Sequence, residues 1–417
     1  MPVDAAVPNV FEAGLPTVDY DLTATPAEAL GIFRAAQSQA PIAIGPVGPE
    51  ILSYNLARDM LRDTRFGIPP GIILAAQGVT SGPLFDKVTS GLMDLDVDAH
   101  QRLRKLVSKA FTPRATFRLH DTIHDVVNGL IDNVAHVGRC DVVVDIARPY
   151  PVAIICALLG APRADWQLFS AWTDTVFKAF TFSENLIDEQ PAIMQAWSEL
   201  DDYVDDMVAQ RRNTLTEDLL SDLIRAEDEG DRLNADELRM LASGLLMAGI
   251  DSTRNQLAAS VQLLCDHPDQ WAMVRNEPNL ATRAVEESMR YSPVVCGAAR
   301  TVTEDVEFAG YLFTAGTFVF VNTLAANRDP EVYDDPDRFD IAREGAPAIL
   351  TFGGGAHYCL GANLARLELA EALAILARRL PTLHRVEPAP WKPMLGIAGP
   401  TTLPVEFDVE SALTTYA

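Results

Sequence analysis

Apolar residues recur at three- and four-residue spacing over most of the chain up to residue 291, which is the spacing of helices with one buried face. The pattern predicts a first helix over residues 26–40, a last one directly after Cys359, and the following between them: 99–111, 114–137, 146–159, 163–180, 188–212, 218–228, 234–266 and 278–291. At 1.5 Å per residue, the 234–266 segment would be a helix of about 45 Å. We therefore expect helices to make up most of the fold.

Alternation of apolar and polar residues, the pattern of strands, is confined to short stretches: PIAIG (41–45), EILSYN (50–55), RTVTEDVEFAGYLFTAGTFVFVNTL (300–324) and TTLPVEFDVE (401–410). The stretch from Phe66 to Asp98 is rich in proline and glycine and has no clear period, which predicts a long, candidate functional loop. The expected fold class is mostly α with a minor β portion. Residues 1–417 should form a single domain, with a helix-rich body and a small β-rich lobe built from the N-terminal, 300–325 and C-terminal segments.

The charge of the chain limits its partners. Lysine and arginine number 33 and aspartate and glutamate 58, which gives a net charge of −25, and the isoelectric point is near 4.6. Such a chain repels nucleic acid and acidic membranes, so neither is an expected partner. The first residues lack the basic region of a signal peptide, and no run of 18 uncharged apolar residues suggests a membrane anchor.

The five cysteines, at positions 140, 156, 265, 296 and 359, are odd in number, widely spaced and without a C-x-x-C pair. This pattern is unlike a disulfide framework or a zinc cluster. We therefore expect a soluble protein of the reducing cytoplasm.

One cysteine lies in an unusual setting, the glycine-rich loop FGGGAHYCLG at 352–361. Glycine-rich loops often bind phosphate, but the Lys-Ser/Thr pair and the G-x-G-x-x-G pattern of such loops are both missing from it. The loop therefore needs another explanation, and three further motifs bear on it.

The centre of the 234–266 segment reads LLMAGIDSTRNQ, with glycine and polar residues inside an apolar helix. It is either a solvent-facing polar patch or a buried helix that opens locally beside a ligand. In EESMR (286–290), Glu287 and Arg290 share a helix face, as in many surface salt bridges. In DVDAHQRLRKL (96–106), His100 and Arg104 are four apart, which suits either anion binding or a solvated basic helix.

Taken together and in this order, H-x-x-x-R, A-G-x-D-S, E-x-x-R, the DPDRF segment at 335–339 and F-x-x-G-x-H-x-C-x-G closely resemble the cytochrome P450 family. The resemblance covers essentially the whole chain. It implies the P450 triangular-prism fold, and a haem-thiolate monooxygenase that binds haem b (iron protoporphyrin IX).

The resemblance assigns roles to individual residues. Cys359 would be the axial thiolate of the haem iron, within a loop in which Gly353 and Gly361 allow close backbone approach and Phe352 packs beside the sulfur. The two haem propionates would be held by a basic set: His100, Arg104, Arg300 and His357. A structural ion-paired trio would lock the fold behind the loop: Glu287, Arg290 and Arg338.

The same resemblance makes Asp251 and Ser252 the acid–alcohol pair that delivers protons during oxygen activation. The usual alcohol of the family is threonine, and in this sequence Thr253 follows Ser252. The register favours Ser252, and Thr253 is the alternative. A serine hydroxyl lacks the methyl group that restricts a threonine rotamer.

The implied reaction inserts one oxygen atom from O₂ into an apolar small molecule, by hydroxylation, O-dealkylation or epoxidation. Electrons would come from a ferredoxin or flavodoxin with an NAD(P)H-dependent ferredoxin reductase, and the enzyme would be a monomer. Residues 99–120 contain six basic residues and no acid, which suits docking of an acidic partner.

Candidate substrate-pocket residues are apolar or small: Leu246, Met247, Ala248, Val294, Val295 and Thr401. Lys87 and Lys178 are the only candidate charged anchors, so a neutral apolar substrate is expected. Two alternatives remain at this point. The same scaffold could act as a peroxygenase or isomerase, or the chain could be a non-catalytic haem sensor.

Overall fold

The computed structural model describes residues 7–95, 97–181, 185–228 and 233–413. Within them the chain forms these α-helices: α1 Pro26–Gln37, α2 Tyr54–Met60, α3 Ile72–Ala76, α4 Pro83–Thr89, α5 Val97–Val107, α6 Pro113–Thr116, α7 His120–Ala135, α8 Pro149–Leu159, α9 Trp166–Val176, α10 Leu186–Arg211, α11 Leu219–Asp228, α12 Ala235–Ala248, α13 Asp251–Asp266, α14 Pro268–Asn276, α15 Ala281–Tyr291, α16 Thr323–Ala326, α17 Ala362–Arg379 and α18 Val409–Leu413.

The predicted mostly α fold with a minor β portion is confirmed, and the differences concern individual helices. The 66–98 stretch is not one loop, because it contains the short helices α3 and α4. Proline at position 83 starts α4, and proline at position 268 starts α14, a helix that the periodicity missed. The predicted helix at 234–266 is two helices, α12 and α13.

The strands are short: β1 Ile42–Gly45, β2 Gly48–Ile51, β3 Phe66–Gly67, β4 Arg139–Asp141, β5 Gly297–Val302, β6 Val306–Phe308, β7 Tyr311–Phe313, β8 Phe318–Asn322, β9 His384–Arg385, β10 Trp391–Lys392, β11 Gly399–Pro400 and β12 Pro404–Glu406. The largest sheet has the order β1-β2-β8-β5-β3. Its β2–β8 pair is parallel and its other pairs are antiparallel.

The C-terminal strands pair outside this sheet, because β12 joins β4 and β9 whereas β10 joins β11. The predicted strand at 401–410 is therefore shorter than expected, and its end is the helical turn α18. The segment around β10 nevertheless packs with α1 and the N-terminal residues in one apolar cluster.

The main core is helical. It includes buried faces of α7, α8, α12, α13, α15 and α17, and α17 packs against α7, α13 and α15. The helix that follows the cysteine loop, α17, is thereby fixed in the main core.

Among the described residues, Val142–Leu159 is long and apolar enough to span a membrane by composition. It comprises a π-helical turn, Val142–Ala147, and α8. Because 61% of this stretch is buried inside the protein, we interpret it as a helix of the main core.

Candidate functional site

The cysteine loop reverses direction between Phe352 and Cys359, and the backbone N–H of Cys359 donates to the carbonyl of Phe352 at 2.8 Å. Gly353 and Gly355 have φ of 71° and 65°, a region that favours glycine. A Cβ on Gly355 would lie 2.6 Å from the carbonyl oxygen of Leu61. The loop thus needs glycine for its turns and for its close contact with the end of α2.

Cys359 is the exposed member of the five cysteines, all of which are free thiols. Surrounding protein nevertheless raises the pKa of its thiol through desolvation, while the N–H of Gly361 and the guanidinium groups of Arg104 and Arg366 act in the opposite direction. A thiol that is both accessible and desolvated lies in a recess. The N–H and the two cations favour the thiolate, which is the form that binds metals.

The other four cysteines have a different environment. Burial raises the pKa of each of them to about 12: Cys140, Cys156, Cys265 and Cys296. Cys156 and Cys296 are fully buried and the other two are half-buried. Thiols that are desolvated in this way behave as small apolar residues.

The structure brings the four predicted basic residues together. The rings of His100 and His357 stack with centroids 4.2 Å apart. The pKa of His357 falls to about 4, because of its burial first and then because of the charges of His100, Arg300 and Arg104. Burial also lowers the pKa of Arg300 to about 10 and, together with Arg104, lowers that of His100.

This cluster has no counter-charge in the described part of the chain. No carboxylate there pairs with any of its four residues, and the side chain of Arg300 donates only to the carbonyl of Ala299, at 2.8 Å. The Nδ1 atom of His357 is buried without a hydrogen-bond partner. Because buried cations cost free energy unless paired, the cluster fits a ligand with two negative charges, such as the propionates of a haem beside Cys359.

The junction of α12 and α13 is a local opening of the helix. Gly249 N donates to Leu245 O at a long 3.4 Å, and Ile250 N donates to Met247 O, three residues back, at 3.1 Å. A Cβ on Gly249 would lie 3.1 Å from Ile155 Cδ1 of α8, so glycine suits this contact. Of the two sequence-based interpretations of this segment, the opened helix is the one observed.

Asp251 begins α13 and is almost completely buried. Its Oδ1 accepts from Arg254 Nε at 2.6 Å and from Asn255 Nδ2 at 3.1 Å. Arg254 Nη1 lies 2.6 Å from Asp174 Oδ1 on α9, and Asp174 also pairs with Arg148.

Exposure increases along this chain of side chains, from 5% at Asp251 through 13% at Arg254 and 28% at Asp174 to 48% at Arg148. The buried carboxylate is therefore connected to the surface by charged groups. The sequence analysis missed these partners, although the three-residue spacing of Asp251 and Arg254 was a usable signal.

The two candidate hydroxyl residues differ in exposure. Ser252, on the first turn of α13, is half-buried, and Ala248, at the end of α12, is exposed. Thr253 is buried.

The remaining predicted pocket residues are not all accessible. Leu246, Met247 and Val294 are buried, whereas Val295 is half-buried and Thr401 is exposed. Thr401 lies in a turn, where its N–H donates to Pro390 O at 2.8 Å.

Glu287 and Arg290 form the predicted ion pair, with Nε–Oε2 at 2.7 Å and Nη2–Oε1 at 2.8 Å, and both residues are buried. The third member is Arg343, whose Nε lies 3.3 Å from both Glu287 oxygens. The prediction of Arg338 is wrong. Its side chain is 63% exposed and bonds to Asp340, because the turn at Asp335 directs it outward.

Comparison with known proteins agrees with this geometry. The sequence model of the family described as Cytochrome P450 matches residues 84–395. Nocardicin C N-oxygenase of Nocardia uniformis subsp. tsuyamanensis is 40% identical over 76% of this chain and 79% of its own. Cytochrome P450 monooxygenase PikC of Streptomyces venezuelae is 35% identical over 96% and 95%.

Mycinamicin IV hydroxylase/epoxidase of Micromonospora griseorubida is 37% identical over 86% of this chain and 90% of its own. Among solved structures, CalO2 superposes with a TM-score of 0.86 at 31% identity, covering 94% of this chain and 99% of that one. Matches of this extent in sequence and in fold mark a haem-binding oxidoreductase, and the chain belongs to the cytochrome P450 family of monooxygenases.

Proposed function

We propose that Cys359 would bind the iron of haem b through its thiolate and that His100, Arg104, Arg300 and His357 would hold its propionates. The observation that carries this proposal is an accessible, desolvated thiol beside a partly buried basic cluster that lacks a carboxylate partner among the described residues. When bound, haem supplies the redox chemistry by which one atom of O₂ enters the substrate.

The protein's own part at Cys359 is electrostatic. The Gly361 N–H and the cations of Arg104 and Arg366 favour the thiolate. Arg366 is itself fixed, since its guanidinium lies 4.4 Å from the Phe352 ring centroid and donates to the Tyr358 hydroxyl at 3.1 Å. These contacts fix the Arg366 guanidinium, whose charge favours the thiolate form of Cys359.

Asp251 and Ser252 would hold and pass on the protons that the reaction consumes. Support comes from the opened helix at Gly249 and from the ion pairs of Arg254, Asp174 and Arg148, which hold Asp251 and extend from it to solvent. A carboxylate held by Arg254 keeps its position while solvent renews its proton.

Electrons reach the enzyme from a ferredoxin or flavodoxin, which binds the basic surface formed by Lys105, Lys109, Arg114 and Arg118. These four side chains are exposed and pair with no acid in the described ranges. Exposed Phe117 adds an apolar contact within this surface. The enzyme works as a soluble, cytoplasmic protein, in keeping with the burial of α8.

The substrate is a neutral, mainly apolar small molecule, and the reaction is a hydroxylation, O-dealkylation or epoxidation. Both candidate cationic anchors are already paired within the protein. Lys87 pairs with Asp201, and Lys178 Nζ lies 2.6 Å from Glu189 Oε1. A carboxylate substrate would therefore find no free cation at either lysine.

The ligand assignment is tested by the absorption spectrum of the ferrous carbon monoxide complex. The wild type should show the red-shifted Soret band of a thiolate-ligated haem, and Cys359→Ser should lose it. Cys265→Ser, at a half-buried cysteine on α13, is the matched control and should keep the band. A Cys359→Ser protein that retained the band would disprove the assignment.

A further inference from the structure

We propose that His120, His124 and Glu371 form a binding site for a divalent transition-metal ion of the Zn²⁺ class. The two histidines lie one turn apart on α7, and Glu371 faces them from α17. One ligand atom from each residue lies within 4.8 Å of the others. Zinc is commonly bound by this set of donors, two imidazoles and a carboxylate.

The distances suit a shared ion. His124 Nε2 lies 2.8 Å from Glu371 Oε2, and His120 Nε2 lies 3.7 Å from the same oxygen. Ligand atoms about 2.0–2.1 Å from a tetrahedral zinc are about 3.3 Å apart. The two observed separations bracket this value, so small side-chain rotations would place all three donors around one ion.

The second nitrogen of His120 supports the same interpretation. Its Nδ1 lies 3.1 Å from Asp121 Oδ1, so the carboxylate favours the tautomer that carries its hydrogen on Nδ1. The Nε2 lone pair of His120 then points to the cluster. The ring of Phe117 stacks on His120 at 5.2 Å and further restricts its rotation.

A histidine–glutamate hydrogen bond alone would not account for the whole arrangement. That bond requires only His124, whereas both rings converge on one carboxylate oxygen with centroids 4.3 Å apart. All three residues are half-buried, so an ion could reach them from solvent and keep a water as its fourth ligand.

Metal binding would have a structural consequence. His124 and Glu371 are 247 positions apart in the chain, so the ion would join α7 to α17, the helix that directly follows the cysteine loop. A ligand that binds only the folded protein stabilises it by mass action. Zinc should therefore raise the thermal midpoint of the holoenzyme in a dose-dependent way.

The test is a titration of the haem-loaded enzyme with ZnCl₂ in competition with a chromophoric chelator. We expect one tight site in the wild type and at least about a tenfold loss of affinity in both His124→Gln and Glu371→Gln. His136→Gln is the matched control, because His136 is exposed at the end of the same helix. It should bind zinc as the wild type does.

An unchanged Soret band in every variant shows that the haem site is intact, so a loss of zinc binding reports on the cluster. Bound Co²⁺ provides a second measurement, since tetrahedral coordination gives visible absorption bands that both variants should lose. Equal zinc affinity in the wild type and Glu371→Gln would overturn the proposal. So would a wild type whose thermal midpoint does not respond to zinc.

Discussion

At the scale of single residues, Glu50 on β2 should make the stability of the folded protein depend on pH. Its carboxyl group is fully buried and accepts from Tyr20 Oη at 2.8 Å and from Asn322 Nδ2 at 3.0 Å. Desolvation outweighs both hydrogen bonds and raises its pKa to about 7. The folded protein therefore holds this proton at pH values at which the unfolded chain has lost it.

Because the folded pKa lies above the unfolded one, stability falls as pH rises from about 4.5 to about 7 and then levels off. Between pH 5 and pH 8, Glu50 should lower the free energy of unfolding by about 2.5 kcal/mol. Glu50→Gln should remove this loss. Denaturant unfolding at the two pH values measures it, with exposed Glu12→Gln as the control that behaves like the wild type.

Arg343 and Arg338 provide a second comparison of single residues. Arg343 is 10% exposed and bonds to the buried Glu287 carboxylate, whereas Arg338 is 63% exposed. Arg343→Met should lower the free energy of unfolding by about 2 kcal/mol, because a hydrogen bond to a buried charge is lost. Arg338→Met should cost less than about 1 kcal/mol. The reverse order in denaturant unfolding would restore Arg338 as the partner of Glu287.

The sequence predicted the basic cluster of the candidate site, but only two of the three members of the ion-paired trio. His100 and Arg104 could be paired from their spacing, because a helix places residues four apart on one face. No such rule connects Glu287 to a loop about fifty residues later, where the path of the chain decides which arginine turns inward. The sequence pattern therefore could not identify Arg343 as the partner of Glu287.

At the scale of elements, the helix opening between α12 and α13 places the adjacent hydroxyls of Ser252 and Thr253 in different surroundings. Ser252 is half-buried, whereas Thr253 is buried. Ser252→Ala should divert electrons from product to hydrogen peroxide while NADH consumption continues. Thr253→Ala should leave the ratio of product to NADH unchanged. If only the threonine variant lost coupling, Thr253 would be the proton-relay alcohol.

Periodicity predicted most helices but not the break at Gly249. Apolar spacing continues from α12 into α13, so the pattern alone describes one long helix. The break depends on contacts between distant segments, such as Gly249 against Ile155. The polar run at 251–253 indicated where the helix could open. The sequence therefore predicted the position of the opening, but not that it would divide the segment into two helices.

At the scale of the whole molecule, the net charge of −25 makes the basic surface at Lys105, Lys109, Arg114 and Arg118 conspicuous. Two other basic residues of the 99–120 stretch are used internally. Arg102 pairs with Glu237, and Arg104 donates to the Tyr358 carbonyl. A docking test should therefore leave both unchanged.

Lys105→Glu/Lys109→Glu should raise the apparent KM for ferredoxin and flatten its dependence on ionic strength. Exposed charges are screened beyond roughly 10 Å at 0.1 M salt, so the wild type should bind more weakly as salt rises. Arg139→Glu/Arg275→Glu makes the same change in net charge at exposed residues of β4 and α14. If steady-state kinetics showed the same rise in apparent KM for ferredoxin in both double variants, the effect would come from net charge instead of this surface.

The unequal accessibility of the thiols has a practical consequence. Burial raises the pKa of the other four thiols to about 12, and two of these cysteines are fully buried, so a maleimide reagent should react first with the exposed Cys359. A cofactor bound to that sulfur would block the reagent. Intact-mass spectrometry after brief labelling would then measure the labelled fraction of the protein, which is the fraction that has lost its haem.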